Sequence, residues 1–163
     1  MMFLTHDEVL ALAYEITNPP KHPGGGENLR TYPQYGLLVR LAALTGMRAG
    51  EIAALRVGRV NPLCKTIEVA ESASEIRGAL VYGPTKTYGR RSVPMPPTLA
   101  RELDDHLRTR PQDPAAFVFT APAGGPLRHV GFYSRHFRPA VERREIDQRT
   151  RFHDLRHTAA ALM

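Results

Sequence analysis

The sequence predicts an α+β domain, mainly α-helical, with a small antiparallel β-sheet inserted after the second or third helix. Apolar residues recur at three- and four-residue intervals in several separate stretches, the mark of amphipathic helices. Between residues 65 and 96 this period gives way to short β-prone runs punctuated by glycine and proline. The length, 163 residues, is that of one domain able to bury its own core.

Thr5 followed by Glu8 has capping-box spacing, and Val9, Leu12, Ala13 and Ile16 follow at helical intervals, predicting a helix over 5–17 that ends before Pro19-Pro20. The stretch "NPPKHPGGGENLRTYP" is too rich in proline and glycine for helix or strand and is expected as a surface connection. Pro33 is a good first helical residue; after it Leu37, Leu38, Leu41 and Leu44 form a broad apolar stripe that Gly46 closes. "RAGEIAALR" predicts a short third helix with Ile52 and Leu55 facing inward. "KTIEVAES" and "GALVYGPTKTYGRRSVPMP" predict the small antiparallel sheet, with irregular hairpins and with Pro84 and Pro94 at its edges. Beyond Pro97, Leu99, Leu103 and Leu107 share a helical face, and "AFVFTAPAGGPL" is a brief strand or extended turn closed by Gly124-Gly125. In "RHVGFYSRHFRPAVERR", Val130, Tyr133, Phe137 and Val141 mark one side of a further helix. A last helix starts near Phe152, with Leu155, Ala159 and Leu162 expected on its buried side.

Composition narrows the function. No apolar run approaches the ~20 residues of a membrane span, and Asp7 and Glu8 interrupt the N-terminus where a secretory signal would need apolar chain, so a cytoplasmic location is expected. Cys64, the single cysteine, allows neither an internal disulfide nor a cysteine metal cluster. The net charge is +6, and 19 of the 22 basic residues are arginine, whose planar fork suits phosphate. Residues 128–157 alone hold eight arginines against four acids, so the excess positive charge is concentrated there.

Three stations carry candidate chemistry. In "TGMRAGEIAAL", Arg48 stands at the mouth of the third helix, where free backbone N–H groups favour an anion, and Glu51, three residues on, is placed to orient it. An ordinary surface ion pair would look the same in sequence. In "PTKTYGRRSVPM", Lys86 lies near a hairpin turn with Arg90 and Arg91 returning on the other strand; it is either a proton donor or a solvated loop lysine. In "HDLRH", His153, Arg156 and His157 fall at i, i+3 and i+4 and can converge on one ligand. A zinc shared by the two histidines, with Asp154 beside them in a metal-dependent nuclease, is the competing reading, although Arg156 between them would repel a cation.

Taken in order, "TG-R-GE", a lysine ahead of "R-VP", and "H-LRH" leading an apolar helix resemble the catalytic domain of the tyrosine recombinases, the phage-integrase family. "FLTHDEVLALA" is similar to the usual start of that domain, and "FVFTAPAGGPL" and "FRPAVERREI" look like the family's connecting segments, particularly in integrases of bacterial phages and mobile elements. The resemblance implies the DNA breaking-rejoining fold and site-specific recombination of double-stranded DNA without metal or cofactor, through a 3′-phosphotyrosyl intermediate. It implies that Arg48 and Arg156 grip the scissile phosphate, that Lys86 protonates the leaving 5′ oxygen, that His153 assists proton transfer, and that Glu51 and His157 support them. Arg90, Arg91, Arg149 and Arg151 become candidates for DNA contact. The departure is that none of the six tyrosines follows Arg156; Tyr88, on the lysine segment, is expected to contact DNA or to pack. A catalytic domain cut before its nucleophile and lacking the family's N-terminal DNA-clamping domain is therefore expected. Full-length members tetramerise on DNA, whereas such a piece could be monomeric, inactive alone, or a non-catalytic DNA-binding remnant.

Overall fold

The computed structural model of the protein describes residues 2–20, 30–87 and 89–162. Most of the expected Pro/Gly-rich connection, 21–29, lies outside the described residues, as do Tyr88 and Met163.

Helix α1 (His6–Thr17) opens with the expected capping box: Thr5 Oγ1 accepts from Glu8 N–H, and Glu8 accepts from Thr5 N–H. Its buried face, Val9, Leu12, Ala13 and Ile16, packs on α2 (Pro33–Thr45), the central helix, which also meets α4 (Pro97–Leu107) and α7 (Asp154–Leu162). The α1/α2 crossing is close because Gly36 has no side chain; a Cβ there would stand 2.9 Å from the Ala13 carbonyl oxygen. Gly46 ends α2 in the left-handed conformation, with φ of 72°, and α3 (Ala49–Ala53) begins almost at once.

The β-region is less regular than one sheet with hairpins. Strands β1 (Val60–Asn61), β2 (Thr66–Val69) and β5 (Arg91–Pro94) form a three-stranded sheet ordered β1-β2-β5, and β3 (Glu71–Ile76) pairs separately with β4 (Ala79–Pro84). The registers explain the division. One ladder ends at Val69↔Arg91 and the other at Glu71↔Pro84, so on one side a single residue, Ala70, bridges the ladders while residues 85–90 loop out on the other. A long antiparallel pair is thus interrupted by a six-residue excursion that carries Lys86, and β4 and β5 do not pair with each other as the sequence suggested. Thr85, buried at its base, donates from Oγ1 to the Gly89 carbonyl at 3.0 Å.

The expected helix over 128–144 is one run with a widened middle. α5 (His129–Phe132) passes through a π turn (Tyr133–Phe137) into α6 (Arg138–Arg143), with Arg138 N–H donating to the Tyr133 carbonyl five residues back. The widening falls just before Pro139, which has no N–H to return to Arg135 and whose ring needs room there. It also changes the buried face: Phe132 and Phe137, five residues apart, both turn inward, whereas Val130, expected inward, is 56% exposed. Phe132, Phe137 and Phe152 then stack edge to face, and Phe132 meets Tyr35 of α2 in the same way. This aromatic layer fixes the turn that leads into α7.

In α7, Leu155, Thr158 and Ala159 are buried, but Leu162 is exposed, so the apolar stripe ends one turn earlier than its sequence suggested. Thr158 Oγ1 accepts from the Leu4 backbone N–H at 3.0 Å and donates to the Asp154 carbonyl, tying the N-terminal segment to α7.

Phe137→Ala should cost about 3–5 kcal/mol, as large aromatic truncations in cores do, and lower the midpoint of thermal unfolding by roughly 10 °C. Leu162→Ala should stay within about 0.5 kcal/mol of the parent. Equal losses from the two substitutions in differential scanning calorimetry would contradict this division of the core.

Candidate active site

Gly46 is where two of the stations meet. Its carbonyl oxygen accepts a hydrogen bond from Arg156 Nη1 of α7 at 3.2 Å, while its own position sets the start of α3 and so of Arg48. A Cβ on Gly46 would lie 3.5 Å from that of Ala159, and the positive φ there strains any other residue. The two helices that carry Arg48 and Arg156 are thus fastened to one residue, though the arginines are 108 positions apart in sequence.

Arg48, Arg151, His153 and Arg156 line a single cleft of about 380 Å³ together with Met47, Ala49, His129, Tyr133 and Phe152. Arg156 is half-buried, and burial together with the neighbouring Arg48 charge lowers its pKa from the ordinary arginine value. Mutual repulsion of this kind would be relieved by a negative charge in the cleft.

Glu51 stands behind Arg48. Its side chain is 1% exposed, and both carboxylate oxygens are taken by the Arg91 fork, with Nη1 to Oε1 and Nη2 to Oε2 each 2.8 Å. The Arg48 backbone N–H donates to Oε2 at 2.9 Å and Arg48 Nη1 to Oε1 at 3.3 Å. Burial pushes the Glu51 carboxyl up, but the Arg91 hydrogen bonds, the Arg48 backbone bond and the two positive charges prevail, and its pKa lies below the ordinary value. α3 can lie this close to β3 because Gly50 has no Cβ; one would sit 2.5 Å from Ser72 Oγ and 2.6 Å from the Ala73 carbonyl.

His153, on the turn before α7, faces His157 edge to face, with ring centroids 5.1 Å apart. Burial first, then the charges of His157 and Arg156, lower its pKa below the ordinary 6.5. The shift favours the neutral imidazole, the form able to accept a proton. Asp154 is buried and turned inward, its Oδ2 accepting from the Arg151 backbone N–H at 2.7 Å. That leaves the triad His153, Asp154 and His157 without a shared direction, and among the described residues no group of three or more His, Cys, Asp or Glu is disposed to hold a metal ion.

The structure brings Arg48, His153, Arg156 and Arg151 to one cleft, with Glu51 directly behind it. It does not bring Lys86, which stands exposed on the 85–90 excursion, nor His157, which abuts His153 from outside the lining. The other arginine candidates are engaged within the protein. Arg90 pairs with Glu68 at 3.1 Å, and Arg149 is folded onto Asp147, whose carboxyl it holds down at about 2. Arg91, another such candidate, is the ion-pair partner of Glu51, and its strand carries a signal of this: Arg91 and buried Val93 occupy the same face of β5. His129, at the head of α5, and Tyr133, the first residue of the π turn, also line the cleft, and no motif in the sequence announced them.

The fold, with an arginine-rich cleft between α3 and α7, can be set beside those of known proteins. The phage integrase family model matches residues 2–163, and the chain belongs to that family. It is 30% identical over 137 residues to the integrase of Staphylococcus phage L54a, an alignment covering 77% of this chain and 38% of that one. Among solved structures, the Tn1549 transposon integrase in complex with a circular intermediate DNA superposes with a TM-score of 0.76 at 19% identity, over 99% of this chain and 52% of that one. The catalytic domain of bacteriophage HP1 integrase gives 0.58 at 25% identity, covering 99% and 71%. The fold is that of tyrosine-recombinase catalytic domains, and the chain spans less than half of its phage L54a relative and about half of the Tn1549 protein. Among the described residues no helix is long and apolar enough to cross a membrane.

An NMR pH titration should find His153 below 6.5, and Arg156→Gln should raise its pKa, because removing a nearby positive charge favours the imidazolium. A His153 pKa that falls in Arg156→Gln would contradict the electrostatics described here.

Proposed function

We propose that residues 1–163 are the catalytic-domain part of a site-specific DNA integrase or recombinase, acting on double-stranded DNA by metal-free cleavage and rejoining. The observation that carries this reading is the convergence of Arg48, Arg156 and His153 on one cleft in a chain of this family. Attack on a phosphodiester builds negative charge on the non-bridging oxygens, and two guanidinium groups held by Glu51 and Gly46 supply compensating charge that needs no reorganisation. One preorganised donor of this kind is worth about 3 kcal/mol of transition-state binding.

His153, its neutral form favoured by partial desolvation and by its cationic neighbours, accepts the proton of the attacking hydroxyl. Lys86 rides on the 85–90 excursion and protonates the departing 5′ oxygen once DNA occupies the cleft. His157 supports His153, and Arg151 contacts the DNA backbone beside the clamp. Arg90 and Arg149 reach phosphates by exchanging their exposed carboxylate partners, a switch that surface ion pairs of little net worth permit.

The nucleophile of such a reaction is a tyrosine, and within residues 1–163 no tyrosine follows Arg156. The alternative reading is a DNA-binding role that occupies sites without cutting them. The two make different demands on the coding sequence after Met163: the first requires an in-frame continuation with a tyrosine.

A nicked suicide duplex incubated with residues 1–163 should yield no covalent adduct on a denaturing gel, whereas a chain continuing past Met163 through a tyrosine should. An adduct formed by residues 1–163 would sink the assignment of the nucleophile. In fluorescence anisotropy, Arg48→Ala should weaken duplex binding and reduce the salt slope by about one phosphate contact.

A further inference from the structure

We propose that Arg91 is a positioning residue that keeps Arg48 free to hold an anion, by occupying the carboxylate that would otherwise capture it. The inference rests on the reading of Arg48 as a phosphate ligand.

The geometry is that of a competition. A carboxylate has about four acceptor positions, and Glu51 fills them unequally. Arg91 takes two at 2.8 Å as a bidentate fork, the Arg48 backbone takes a third at 2.9 Å, and the Arg48 guanidinium is left with the longest contact, 3.3 Å through one nitrogen. Most N–H groups of Arg48 therefore point elsewhere, with the side chain 29% exposed on the cleft. Glu51 is buried and negatively charged, so its charge must be met by something. If Arg91 were absent, the nearest free fork would be Arg48 itself, already bonded at one nitrogen. A bidentate Arg48–Glu51 pair would then turn the guanidinium away from the cleft. Charge gives the same answer: Arg48, Arg91 and Arg156 against Glu51 leave a net +2 around the site, and loss of Arg91 leaves +1 with the remaining acid on Arg48.

Arg91 also has a mechanical place. It is the first residue of β5 and directly follows the excursion that carries Lys86, so its bond to Glu51 fastens one foot of that excursion to α3. One ion pair therefore couples the lysine-bearing segment to the arginine clamp. A solvated surface arginine would do neither.

A double-mutant cycle on labelled duplex DNA at low salt separates this role from bracing of the fold and from direct DNA contact. Arg48→Ala should weaken binding about tenfold in the parent chain, the scale of one charge-assisted hydrogen bond. In an Arg91→Ala background it should cost less than about twofold, because Arg48 has already been withdrawn. Adding Glu51→Gln to Arg91→Ala removes the competing charge and should restore the sensitivity to Arg48→Ala; a purely structural role for Arg91 predicts no such rescue. Arg91→Lys, which keeps the charge and loses the fork, should give an intermediate cost and carries the test if the alanine variant unfolds. Equal costs of Arg48→Ala in the parent, Arg91→Ala and Arg91→Lys backgrounds would overturn the proposal while leaving the phosphate reading intact. An Arg48→Ala variant that binds as tightly as the parent would overturn both.

Discussion

A carboxylate buried between two guanidinium groups is the constraint around which the site is arranged. Glu51 is held from one side by Arg91 of the sheet and from the other by Arg48 of its own helix. Such a charge is tolerated in the interior only because every acceptor position has a donor, and once it is satisfied it fixes whatever supplies those donors. Here it fixes the relation of α3 to the sheet, and with it the direction in which Arg48 points. Gly50 permits this approach, since any side chain there would meet the backbone of β3. The short helix has little stability of its own at five residues, and its position is set by these tertiary bonds.

The second half of the clamp is built by packing. α7 lies against α2, is anchored through Thr158 to the N-terminal segment, and reaches the α2 terminus with Arg156. The turn before it is positioned by Phe152, wedged between Phe132 and Phe137. Those two phenylalanines share a face only because the helix between them widens by one residue per turn. The π turn, a local irregularity beside Pro139, therefore bears on the place where His153 stands. Arg48 and Arg156, held by unrelated devices, converge because α3 begins just after Gly46 and Arg156 reaches the Gly46 carbonyl.

The excursion at 85–90 follows a different rule. It is bounded by two regular ladders that fix its feet, while Lys86 at its exposed surface makes no hydrogen bond among those found. The arginines of the cleft are fixed within the fold, whereas this lysine stands on an exposed excursion, a division between partnered and solvent-facing cations. The likeness in fold to the Tn1549 integrase and the HP1 catalytic domain extends over 99% of the chain, so this division sits on a framework shared with proteins otherwise much diverged in sequence.

Much of the fold was legible in the order of residues, because helical periods, the Thr5–Glu8 box, Pro33 and Gly46 are local signals whose physics needs no partner. The family was legible for the same reason: "TGMRAGE", "PTK" and "HDLRH" are short strings whose residue types already carry the chemistry, and the match over residues 2–163 agrees with them. What the chain alone could not say depends on distant contacts. Arg91 looked like a surface cation until Glu51, 40 positions away, claimed it. Val130 followed the helical period and was displaced by Phe132 because a π turn alters that period. The strands were correctly expected to be antiparallel, but their division into two ladders around Ala70 rests on register, which only pairing defines. Local sequence determined which charged groups this protein carries; tertiary structure decided which of them are paired within the fold and which face the cleft, because a buried charge selects its partner by proximity in space.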